Sequence, residues 1–99
     1  MNTKNSEKRV KATITATDRV GRTESITLML EAAIAKMLEE AANYTYPDGA
    51  PNSYLRLKLT ELKESPGYLT PSQIRSINKF DTLIFFKFYK YELSIEVKW

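Results

Sequence analysis

The chain contains no cysteine and no histidine. The first absence excludes a disulfide framework, a thiolate nucleophile and any cysteine-based zinc site. The second removes the commonest general base and the commonest metal ligand. Glycine is also scarce, and neither a Gly-rich phosphate loop nor a Gly-x-Ser-x-Gly elbow is present. No apolar run approaches the roughly 18 residues of a membrane-spanning helix. The basic N-terminal stretch is not followed by the apolar segment of a secretory signal. These absences together lead to the expectation of a cytoplasmic protein that is not an enzyme, holds no cofactor or metal, and does not enter a membrane.

What remains is of ordinary globular make-up: 99 residues, 42% apolar and 27% charged. That length suits one thin core. Residues 1–7 read as a flexible polar arm and residues 8–99 as a single α+β domain. The net charge of +3 is unevenly placed. Residues 1–22 carry six basic against two acidic side chains, residues 23–50 one against five, and residues 51–99 eight against five. A basic start and end thus flank an acidic middle, a polarity that suits steering of an anionic partner or self-association.

Val10, Ala12, Ile14 and Ala16 alternate with Lys11, Thr13, Thr15 and Thr17, the period-two pattern of a half-buried strand. A turn follows over Asp18–Arg22, around Gly21. Ile26, Leu28 and Leu30 then alternate as a second strand would. Yet Ile26, Met29, Leu30, Ala33, Ile34, Met37, Leu38 and Ala41 share half of a helix circumference, with only Leu28 misplaced. The alanine and leucine content favours a long amphipathic helix over residues 24–44, its first turn or two being open to strand. Pro47, Asp48-Gly49 and Pro51 end it in a loop.

Residues 54–64 suit either a strand, from the alternation of Leu55, Leu57 and Leu59, or a helix, from the shared face of Leu55, Leu59 and Leu62; the leucine content tips the balance to helix. Ser65-Pro66-Gly67 is a break. Thr70-Pro71-Ser72-Gln73 is a capping box with proline at the first helical position, opening a short helix to about residue 79 that buries Ile74, Ile77 and Phe80. From Leu83 onward the chain holds six of its eleven aromatic residues and is read as one or two aromatic strands, over 83–89 and 91–99, that pair with the first strand in an antiparallel sheet.

Candidate contact residues fall in three groups. Tyr44, Tyr46, Asp48 and Tyr54 border an exposed proline-containing loop, a surface suited to a protein partner. Asp48-Gly49 lacks the further acidic ligands of a calcium loop and reads as a turn. Trp99 ends an apolar strand parity that is covered if the C-terminal strand pairs in a homodimer. The third group is cationic. Arg19 and Arg22 flank Gly21 in a turn suited to gripping an anion, Arg75 and Lys79 face outward from the capped helix, and Lys87 and Lys90 interleave with Phe85, Phe86, Phe88, Tyr89 and Tyr91 as in a base-stacking platform. The order helix, break, helix, strands is that of a winged helix-turn-helix. Against this nucleic-acid reading stands the demand of a small core, which is expected to use those rings internally. The paired carboxylates Glu39-Glu40 and Glu92/Glu96 read as solvated faces of a helix and a strand. The favoured function is therefore a small non-enzymatic protein that acts on a protein partner through its surface. A regulatory or inhibitory accessory factor, of the kind that phages and mobile elements encode, fits that description, with nucleic-acid binding as the alternative.

Overall fold

The computed structural model describes residues 8–43 and 53–99. The elements run β1 (Arg9–Asp18), β2 (Thr23–Glu31), α1 (Ala32–Ala42), α2 (Ser53–Glu64), α3 (Pro71–Lys87) and β3 (Tyr91–Lys98). The fold is α+β. Its one sheet is antiparallel with order β2-β1-β3, so the leading strand is central and the C-terminal strand pairs with it. The expected arm, residues 1–7, lies outside the described residues, as does the loop holding Tyr44, Tyr46 and Asp48.

β1 behaves as its alternation requires. Val10, Ala12, Ile14 and Ala16 are buried beneath the helices, while Lys11, Thr13, Thr15 and Thr17 lie on the opposite, open face. The turn after it, Arg19–Arg22, holds Gly21 at φ +90°, the left-handed conformation that glycine supplies in tight hairpins. Asp18 locks this turn, its Oδ1 accepting from the backbone N–H of Val20 at 3.1 Å and of Arg22 at 2.8 Å.

The expected helix over 24–44 is corrected. Residues 23–31 form β2, pairing with β1 from Thr17↔Thr23 to Arg9↔Glu31, and the helix begins at Ala32. Leu28, the residue that no helix face accommodated, is buried at the centre of this strand with Leu30. Pairing with a ready-made hairpin partner overrides the helical propensity of the segment. Past the sheet, α1 turns Ile34, Ala35, Leu38 and Ala41 inward. It packs on all three strands and on α2. The latter is helical, as the leucine spacing favoured, with Leu55, Leu59 and Leu62 buried.

The capping box of α3 is complete. Thr70 Oγ1 accepts from Gln73 N–H at 3.1 Å, and Gln73 Oε1 accepts from Thr70 N–H at 3.1 Å. Gln73 Nε2 also donates to the Met29 carbonyl of β2 at 2.8 Å, so one side chain caps the helix and ties it to the sheet.

The helix does not stop near residue 79, and residues 83–87 are not a strand. α3 continues to Lys87 because Ile77, Phe80 and Ile84, with Phe88 as its C-cap, recur at helical spacing and are all buried, α3 packing chiefly against β2. A single C-terminal strand follows. The hairpin that would serve as the wing of a winged helix is therefore not formed after α3.

Candidate functional site

The lengthened α3 changes the environment of the aromatic run. Phe80 and Phe88 are 5% and 3% exposed, whereas Phe85 is 74%, Phe86 80% and Tyr89 87% exposed. A helix can bury only about half its circumference on one sheet face, so rings that fall between the buried positions point to solvent. The expectation that the core would absorb this run holds for Phe88 and fails for Phe85, Phe86 and Tyr89. Phe85 and Phe86 stand edge to face, ring centres 5.2 Å apart.

The β1–β2 turn is fastened to the same end of the molecule. Arg22 Nη2 donates to the Lys87 carbonyl at 3.3 Å, one of the unpaired carbonyls that end α3, and its guanidinium lies 5.4 Å from the centre of the Phe88 ring. Lys87 is ion-paired with Glu24 at the start of β2. These links bring the tip of the turn, where Val20 is 77% exposed, to the end of the molecule that carries the three rings.

Arg22 itself is committed within the fold. Its Nε bonds Asp18 Oδ2 at 2.7 Å. Burial pushes the Asp18 carboxyl up, but its bonds from the Arg22 side chain and from the Arg22 and Val20 backbone outweigh this and hold it below the usual carboxylate value. The two arginines of the turn are thus unlike each other. Arg22 is a structural brace, whereas Arg19 is exposed and makes no ion pair among the described residues. Lys90 lies 5.8 Å from the Tyr89 ring centre.

Arg75 and Lys79 are exposed one turn apart on α3, as the helical reading placed them. With Ser72, Ser76, Asn78 and Thr82 they line an open depression of about 780 Å³. Tyr54 borders the loop as its first helical tyrosine. It lies in the first turn of α2, partly buried against the core, with Lys58 Nζ 5.2 Å from its ring centre. The Glu61 carboxylate, bonded at 3.2 Å, and then Tyr54 hold the Lys58 ammonium above its ordinary value. Trp99 is exposed just beyond β3, an edge strand of the sheet, at the end of that strand opposite Tyr89 and the β1–β2 turn. Among the described residues, no three acidic side chains gather to hold a metal ion. No helix is long and apolar enough to cross a membrane.

The chain matches no protein-family model, no curated protein and no solved structure.

Val20 was not among the candidate contact residues drawn from the sequence, and Phe85, Phe86 and Tyr89 entered only as rings of a strand-borne stacking platform that the core was expected to absorb. The signal that finds them is the helical spacing of Ile77, Phe80, Ile84 and Phe88, which assigns the remaining rings to the outer face.

Proposed function

We propose that this chain is a non-enzymatic binding protein that docks a protein partner through the end formed by Phe85, Phe86, Tyr89 and the tip of the β1–β2 turn. The observation that carries this reading is the exposure of three aromatic side chains within five residues, at an end fastened to the β1–β2 turn. Exposed apolar clusters of this kind mark interaction surfaces, and buried aromatic anchors dominate protein interfaces. The cations around the rings favour a protein over a nucleic-acid backbone here. Arg22 and Lys87 are already paired with Asp18 and Glu24, leaving Arg19 and Lys90 where tracking a phosphate chain calls for a row of free charges.

The reading is tested by placing the photocrosslinker p-benzoylphenylalanine at position 86 in cells. A discrete cross-linked species containing a second protein is expected. No cross-link, or one to a second copy alone, contradicts it.

A second reading rests on a separate surface. Arg75 and Lys79, with Ser72 and Ser76, present a helix face of the kind that contacts phosphates and base edges. If it binds nucleic acid, a gel shift at low salt should weaken steeply as salt rises and disappear in the Arg75→Ala/Lys79→Ala variant.

A further inference from the structure

The free edge of β2 and the flank of α3 form a second, distinct feature. β2 has β1 on one side only. Asp18 and Arg22 close the hairpin as a hydrogen-bonded pair, with Asp18 N–H donating to the Arg22 carbonyl at 3.0 Å. Antiparallel alternation then turns the backbone groups of Glu24, Ile26, Leu28 and Leu30 toward β1, and those of Thr23, Ser25, Thr27 and Met29 away from it. The Gln73 bond to the Met29 carbonyl confirms this parity, and it closes the edge at that point. Thr23, Ser25 and Thr27 remain, with no backbone partner on the open side among the described residues.

Alongside this edge runs a groove of about 450 Å³, lined by Glu24, Ile26 and Thr27 of β2 and by Ser76, Lys79, Phe80 and Leu83 of α3. Its floor is apolar at Ile26, Phe80 and Leu83. Its charges are unequal, because Glu24 is neutralised by Lys87, whereas Lys79 makes no ion pair among the described residues. Proteins usually blunt an exposed edge with proline, lysine or a bulge. None of these interrupts Thr23–Thr27.

A second copy of the chain does not fit this edge. It would bring its own α3 over the same sheet face. Two helices about 10 Å across cannot stand over adjacent strands about 4.8 Å apart. A bare extended segment meets no such obstacle. We infer that the β2 edge accepts an extended peptide segment of a partner protein as a fourth strand, its backbone bonded to Thr23, Ser25 and Thr27. Its inward side chains alternate with outward ones. The inward positions take apolar groups against Ile26, Phe80 and Leu83 and a carboxylate against Lys79. This surface is separate from the aromatic end, and either can fail without the other.

The test uses the whole protein and a capped heptapeptide with threonine at positions one, three, five and seven, valine at two and six, and glutamate at four. In amide-resolved NMR titration, the expected shifts centre on Thr23, Ser25 and Thr27, and hydrogen exchange there slows. Replacing the peptide's glutamate by lysine should weaken binding about fivefold, the scale of one exposed ion pair, and Lys79→Glu should reverse that preference. N-methylating the peptide nitrogens of one alternate set should abolish binding, and methylating the other set should leave it, the signature of one-sided strand pairing. This comparison leaves the protein unaltered, so no folding defect obscures it. Absence of binding at millimolar peptide, shifts confined to other surfaces, or equal effects of the two methylation patterns would overturn the inference.

Discussion

On one helix, aromatic residues a single turn apart meet opposite fates. Phe80 and, at the C-cap, Phe88 are sealed in the core, while Phe85, Phe86 and, just beyond, Tyr89 stand in solvent. Their chemistry is the same, so position on the helix decides. The inner rings fall in step with Ile77 and Ile84, and the outer rings occupy the positions that helical geometry turns away from the sheet. The inner set holds the fold together, and its removal leaves cavities. The outer set is expected to contribute little to stability, and its exposure is what the proposed docking of a partner accounts for.

The largest effect is expected from Phe80→Ala, which should lower unfolding free energy by about 3–5 kcal/mol in urea titration, the usual result of truncating a buried phenylalanine. A loss below about 1 kcal/mol would mean that the ring is not packed as described.

Gln73→Glu comes next. It keeps an acceptor for the capping box but loses the donor to the Met29 carbonyl, and should cost about 1 kcal/mol in the same titration. An unchanged midpoint would show that the tie between α3 and β2 is dispensable.

The brace that presents the outer rings has a pH signature. The Asp18 carboxyl is held below its ordinary value, so it contributes stability above about pH 4 that is lost as pH falls through the folded value. Wild type should therefore exceed Asp18→Asn in stability at neutral pH, and the gap should close between about pH 5 and pH 2. A gap independent of pH would remove the ionised carboxylate from the account. The smallest effect on stability is expected from the Phe85→Ser/Phe86→Ser double variant, which should unfold within about 0.5 kcal/mol of wild type. A large loss would place these rings in the core after all.

The same contrast explains what could be read from the sequence. β1, the capping box and the helical leucine face of α2 were legible, because in each the local pattern and the tertiary environment agree. At β2 two periods competed for the same residues. Ile26 and Leu30 satisfy both strand and helix, and Leu28 alone discriminates, by fitting only the strand. The end of α3 misled for a different reason. Pattern reading assumes that large apolar residues seek burial, so a helix with phenylalanines on its outer face looks like a strand wanted on both sides. A violation of that assumption is expected where a surface serves contact, and the proposed function places the aromatic end in that class. The turn contributed a further surprise, since the sequence shows two equivalent arginines and only the fold shows that Arg22 is spent on Asp18 and the end of α3.

The most direct measurement compares the proteins retained from a lysate of the producing organism by immobilised wild type, by Phe85→Ser/Phe86→Ser and by Arg75→Ala/Lys79→Ala, quantified side by side by mass spectrometry. The account predicts at least one protein held by wild type and by the Arg75/Lys79 variant, and lost from the folded Phe85/Phe86 variant. Identical sets retained by wild type and the Phe85/Phe86 variant would contradict it.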